Sequence, residues 1–376
     1  MDFAIQFIRM NYKIHFLCSC LFVVRGICIF AFYYAVFVFF VANNLNRLGW
    51  SLSRPIGATM LQVRLILCLL LSAALGCSAS PMAAEQPTDA KQWCVVAEEK
   101  LTELSGLAPY RGGDETLLWA HNDGSRSKLY LLDSYGVTRA TLDIENVEPV
   151  DCEDLCSFQI GVDRYLLLAD SGDNDLRRKI CKLYLIVEPS LDEFEVVDEG
   201  KKKKKKDKPP NLKTKPLRYY EFTYPDGPHN CEAMGVDVGL QKIILVTKEK
   251  DPGCDVYSLP LSIDPQGVLQ KLPALPQQAT HLARINVPTI TGLAVDPNGK
   301  RIVLLGRGKM FEFTRPKTPA ADASEPFVRM LKAGPQPLAK PKQEQGEAVC
   351  FSVDGKKLYV ASEGKKQPIW ELQLEK

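Results

Sequence analysis

Three features of the 376-residue sequence predict an all-β fold arranged as a ring: a short opening motif that recurs five times, β-rich runs after each opening, and a composition with ample core material. The openings are Ser105-Gly106-Leu107-Ala108, Glu153-Asp154-Leu155-Cys156, Glu232-Ala233-Met234-Gly235, Thr291-Gly292-Leu293-Ala294 and Glu347-Ala348-Val349-Cys350. Their spacing of about 50–80 residues approaches the roughly 40–50 of radially repeated sheets once insertions are allowed. Hydrophobic residues make up 46% and charged residues 24%, which excludes disorder over most of the length. A four-stranded antiparallel sheet cannot bury both of its faces alone. Five such sheets packed about an axis can, and the expected fold is a five-bladed β-propeller. The alternative is a six-bladed ring with a degenerate blade in residues 175–230.

From the amino end, residues 1–59 form a hydrophobic extension in which Ile14 to Val41, interrupted by Arg25, is long enough to cross a bilayer of about 30 Å. Residues 60–80 have signal-peptide grammar: Met60, a basic Arg64, apolar Leu65 to Leu75 and small residues around Gly76, Cys77, Ser78 and Ala79. Two readings stand here, a genuine membrane helix or a true start at Met60. Leu75-Gly76-Cys77 has the form of a lipoprotein cleavage site, although Ala74 stands where such signals prefer Leu. Either reading makes the mature chain exported, periplasmic or at the cell surface, and membrane-tethered. Residues 81–91 form a linker before the propeller at 92–376.

Each unit contains a turn, a Leu-rich or β-branched run, a polar loop and a second run. In the fifth, Ala348 to Val353 leads through Asp354-Gly355 into Leu358 to Ala361 and then Ile369 to Leu372; Asn298-Gly299 marks the same hairpin in the fourth. Fourth strands are expected at Thr138 to Ile144, Leu217 to Thr223, His281 to Val287 and Pro326 to Leu331. The last unit lacks one, and Trp93 to Ala97 is expected to fill the gap and close the ring. Lys201 to Lys206 lie within a Lys- and Pro-rich stretch, residues 198–216, read as a disordered insert. Seven cysteines follow the leader: Cys94, Cys152, Cys156, Cys181, Cys231, Cys254 and Cys350. They fit no zinc pattern, and both long-range disulfides and buried thiols stay open.

On His121-Asn122-Asp123, Asp170-Ser171-Gly172-Asp173-Asn174, Gln345-Gly346-Glu347-Ala348 and Ser362-Glu363-Gly364, the region 92–376 resembles uncharacterised exported bacterial propeller proteins of the phytase-like and esterase-like kind. The resemblance leaves chemistry open, because the fold hosts lactonases, phosphatases and pure binding modules.

Alternating strand direction brings each opening and each second-to-third loop to one surface, the upper face. The openings place Ser105, Glu153, Glu232, Thr291 and Glu347 around the axis. Carboxylates converging there need a cation or shared protons, and Glu153, Glu232 and Glu347 are the expected ligands of a calcium ion. Structural hydrogen bonding between blades is the alternative. Loop residues Asn122, Asp123, Asp173, Asn174, Lys248, Glu249, Arg307 and Glu363 are expected to line a ligand site, with His121 and Asp170 positioned to move protons. These residues are also ordinary turn formers.

The net charge of +2 argues against nucleic acid. No nucleophile elbow, HExxH motif or P-loop is present. The expected function is therefore a monomeric, exported propeller that binds a small polar ligand or a protein partner near its upper channel. Two alternatives accompany it: a calcium-dependent hydrolase of lactones, esters or phosphates, and a structural lipoprotein scaffold.

Overall fold

The computed structural model describes residues 90–193, 208–249, 253–317, 325–343 and 345–374. The hydrophobic extension, the signal-like segment and the lysine run lie outside the described residues. Within them, five antiparallel blades form a β-propeller.

A first strand, β1 (Lys91–Val95), precedes blade 1, which contains β2 (Leu104–Pro109), β3 (Leu118–Asn122), β4 (Lys128–Leu132) and β5 (Thr138–Ile144). Blade 2 contains β6 (Cys152–Ile160), β7 (Asp163–Asp170) and β8 (Cys181–Val187), and, after β9 (Asn211–Thr214), its fourth strand β10 (Arg218–Thr223). Blade 3 contains β11 (Cys231–Asp237), β12 (Lys242–Thr247) and β13 (Cys254–Pro260), and, after β14 (Gln277–Gln278), β15 (Thr280–Ile285). Blade 4 comprises β16 (Ile290–Val295), β17 (Arg301–Gly306), β18 (Met310–Thr314), helix α1 (Pro326–Lys332) and β19 (Gln336–Leu338). Blade 5 consists of β20 (Gly346–Phe351), β21 (Lys357–Ser362) and β22 (Pro368–Gln373), and β1 pairs with β22 to complete it. The ring is thus closed by the strand expected from Trp93 to Ala97.

Successive residues on a strand face opposite sides, so a strand buried between two neighbours must be apolar on both. In β7, Tyr165, Leu167 and Ala169 pack toward blade 3, while Leu166 and Leu168 pack toward blade 1. The same alternation yields one apolar cluster between each adjacent pair of blades. Burying one such Leu contributes about 1.5–3 kcal/mol, and this repeated burial holds the ring together. All seven described cysteines are free thiols, most of them fully buried, so those between blades act as small hydrophobes.

Two expectations for individual elements need correction. Pro326 to Leu331 forms a helix rather than a strand, and β19 supplies the fourth strand of blade 4 instead. Glu325 caps the helix by accepting from Val328 N, Pro326 opens it, and Phe327, Met330 and Leu331 recur at helical spacing on the buried face. In the Lys-rich insert, residues 211–214 form β9, which pairs parallel with β5 of blade 1. Lys128 Nζ and Thr141 Oγ1 both donate to Asn211 Oδ1 and tie this strand down.

Candidate functional site: the upper mouth of the axial channel

The five innermost strands share a defect. Each pairs with its neighbour through a β-bulge, and the register shifts fall between Leu104 and Gly106, Cys152 and Asp154, Cys231 and Ala233, Ile290 and Gly292, and Gly346 and Ala348. The bulged residues are therefore Ser105, Glu153, Glu232, Thr291 and Glu347, the repeated opening positions. A bulge leaves one residue outside the ladder and re-aims its side chain. All five are buried around the top of the axis.

Two of these positions serve as stitches between blades. Ser105 Oγ donates to the Glu153 carbonyl at 2.6 Å, and Thr291 Oγ1 donates to the Gly346 carbonyl at 2.7 Å. Ser171 Oγ does the same to the Cys231 carbonyl at 2.9 Å. The two hydroxyl openings thus tie neighbouring blades together.

The three glutamates differ. Glu153 lies with Asp123 and Asp151 so that one carboxylate oxygen from each falls within 4.8 Å of the others. Asp123 and Asp151 share a hydrogen bond between their carboxyls, and Asp123 Oδ1 is buried without a partner. Burial raises the proton affinity of Glu153, and the charges of Glu232, Asp123 and Asp151 raise it further. Asp151 is pushed up to about 6 by burial and by Asp123. Gly172 closes the cluster from above: a Cβ there would sit 2.3 Å from Glu153 Oε1 and 2.5 Å from Asp151 Oδ2. A side chain at this position would push these carboxylates aside.

Glu232 accepts from Asn230 Nδ2 at 3.0 Å and from Lys248 Nζ. Burial raises its proton affinity, and Lys248 opposes the rise. Glu347 is 3% exposed, its Oε1 lacks a partner, and burial pushes its carboxyl up to about 7. The positive charge of Lys248 lowers the proton affinity of Glu153, Glu347, Asp123 and Glu363 as well, which places this ammonium within reach of the whole mouth. Glu363 accepts from Gln345 Nε2 at 2.9 Å, and burial followed by Asp123 raises its proton affinity. Arg307 is exposed, and its carbonyl accepts from Lys340 Nζ at 2.6 Å.

The remaining expected site residues are occupied elsewhere. His121 is fully buried, with Nδ1 2.7 Å from the Asn122 carbonyl, and burial pulls its imidazole down to about 4. Asp170 is also fully buried and accepts from Val150 N, Asp151 N, Tyr184 Oη and Arg178. Neither side chain reaches solvent in this structure, and Asp170 organises the loop that carries Asp151. Asn122 accepts from Glu103 N and donates to the Lys100 carbonyl. Asp173 accepts from the backbone of Arg177 and Arg178, and Asn174 Oδ1 accepts from Asn230 Nδ2. Glu249 pairs with His229 Nδ1 at 3.3 Å. Asn122, Asp173, Asn174 and Glu249 thus each make a hydrogen bond or ion pair within the protein.

Asp151 and Asn230 did not figure among the expected site residues, yet a signal for them exists. Glu103, Asp151, Asn230, Thr289 and Gln345 each lie two positions before a bulged residue, and all are polar. Each immediately precedes the innermost strand of its blade, and Asp151, Asn230 and Gln345 meet carboxylates of the mouth. Below the ring, Asp154 reaches across the axis. Its oxygens accept from Leu155 N at 2.8 Å and Met234 N at 2.7 Å, with a third bond from Leu293 N, joining blades 2, 3 and 4 and sealing the mouth from beneath.

No family model and no curated protein sequence matches the chain. Solved structures match it at low identity. A luciferin-regenerating enzyme matches at 10% identity and a TM-score of 0.39, over 76% of this chain and 95% of its own. A nidogen/laminin complex matches at 12% and 0.38, over 70% and 73%. In a mitotic checkpoint complex the match is 11% and 0.33, over 71% of this chain, which spans 61% of the matched one.

Proposed function

We propose that the upper mouth binds a small polar ligand through a hard divalent cation, calcium being the natural choice, held by Asp123, Asp151 and Glu153 with Glu232 and Glu347 at its margin. The observation that carries this reading is the three-carboxylate cluster with its buried, unpartnered Asp123 oxygen. Buried acids this close hold either protons or a cation, and calcium favours six to eight oxygen ligands. Lys248 balances part of the remaining charge and offers a donor to an anionic or carbonyl group on the ligand. Calcium-dependent melting tests the reading. Millimolar calcium should raise the melting temperature by about 2–5 °C, and D151N should abolish the rise; an equal rise in both proteins would contradict it.

A hydrolytic reading has one observation in its favour: Glu347 and Asp151 hold their protons to about 7 and about 6, near the range useful for general acid–base work. In that reading Glu347 takes the part first expected of His121. Turnover of chromogenic esters, lactones or phosphates that is lost in E347Q would support it.

The exported, membrane-tethered location, and the likeness to phytase-like and esterase-like exported proteins, rest on the signal-like pattern of residues 60–80 and the quoted motifs alone. Mass spectrometry of the mature amino terminus tests lipidation at Cys77.

A further inference from the structure

The lower end of the axial channel presents chemistry opposite to the mouth. Beneath Asp154 the five innermost strands enclose a vestibule of about 30 Å³, room for one or two water-sized particles. Its walls combine aliphatic residues such as Leu107, Val236, Val295 and Val349 with the polar groups of Arg111 and Ser157, and it opens to solvent on one side. One charged side chain lines it, that of Arg111.

Arg111 follows β2 on blade 1 and leans across to blade 2. Its Nε donates to Ser157 Oγ at 3.0 Å and one terminal nitrogen donates to the Ser157 carbonyl at 3.1 Å. Ser157 Oγ is itself fixed by donating to the Pro109 carbonyl at 2.6 Å. Among the described residues, no carboxylate oxygen comes within ion-pair distance of this guanidinium. The nearest candidate, Glu188, accepts instead from the Arg111 backbone N–H and from Trp119 Nε1. Burial disfavours the guanidinium charge, and the field of Glu188 only offsets that effect. A cation held rigidly in the wall of a narrow, partly aliphatic cavity without a contacting counter-charge favours an anion that completes it.

We propose that this vestibule is a small-anion site in which the Arg111 guanidinium, oriented by Ser157, holds one monovalent anion of halide size. The space of about 30 Å³ beside the guanidinium suits an ion of this size, and the aliphatic part of the wall strengthens the attraction by lowering the local dielectric. The site is independent of the mouth, because Asp154 separates the two.

Bromide is the probe. Crystals soaked in sodium bromide should show an anomalous peak beside Arg111. In solution, replacing sodium gluconate by sodium bromide at constant ionic strength should raise the melting temperature by about 2–4 °C. R111M should lose that rise and R111K should keep part of it. If R111M fails to fold, S157A, which frees the guanidinium from its holder, should reduce the rise. Absence of an anomalous peak, or an unchanged bromide response in R111M or S157A, would overturn the proposal.

Discussion

The two ends of the axial channel are made from the same five strands, yet one is crowded with carboxylates and the other is partly aliphatic around a single guanidinium. The difference arises at the bulges. Above them, the displaced residue of each inner strand is polar, and Asp151, Asn230 and Gln345, two places before three of these, meet carboxylates of the mouth. Below them the strands resume a regular ladder, and small or aliphatic residues such as Gly235, Ala294 and Val349 fill the axis. This propeller separates a polar mouth from packing by one extra residue per blade.

The largest expected effect comes from removing the partition between the two ends. D154L leaves the N–H groups of Leu155, Met234 and Leu293 without their acceptor in a dry interior. At about 1–3 kcal/mol for each buried donor left unsatisfied, the loss of stability should reach about 3–5 kcal/mol by urea unfolding. D154N, which keeps one acceptor, should lose less. Equal stability of D154L and the parent would break the comparison, because the channel would then need no seal.

A similar but smaller effect is expected where the ring passes closest to its neighbours. In Gly106→Ala the new Cβ would stand 2.2 Å from His121 Nε2 and 2.7 Å from Leu155 N. Since backbone cannot yield cheaply, the cost should be about 1–3 kcal/mol.

The crowding of acids in the mouth has a pH signature. Glu347 ionises about two to three pH units higher in the folded protein than in an unfolded chain, so the native state binds more protons between about pH 4.5 and pH 7. Its contribution to stability is therefore fully present below that window, is lost as pH rises through it, and is constant above. E347Q should remove this loss and gain about 1–3 kcal/mol over the parent at pH 8, with little difference at pH 4. A parallel pH dependence in both proteins would show that Glu347 is already neutralised.

The subtlest effect sharpens the view of the carboxylate cluster. Gly172→Ala should leave the fold nearly intact but displace Glu153 and Asp151, and so reduce the calcium-induced rise in melting temperature to about half or less.

Much of this was legible in the sequence because repetition exposes it. The five openings named the bulged residues before any strand was paired, and Trp93 to Ala97 read as the closing strand because blade 5 lacked a fourth. Other features were hidden for physical reasons. Pro326 to Leu331 satisfies both a short strand and a capped helix, and only the packing of Phe327, Met330 and Leu331 on one side decides between them. His121 and Asp170 look like mouth residues by position, but sequence does not show whether a polar side chain faces solvent or is occupied by backbone. Asp151 escaped notice because its significance lies in standing two places before Glu153, a relation that acquires meaning once the two carboxylates are known to meet.

The most direct measurement is calorimetric titration of calcium into the full chain at pH 7.5, repeated in two buffers that differ in ionisation enthalpy. The account expects one ion bound per chain with release of protons from the carboxylate cluster, an affinity that falls about tenfold or more on going to pH 5.5, and no binding in D151N. Absence of saturable heat at millimolar calcium, or binding unchanged in D151N, would contradict it.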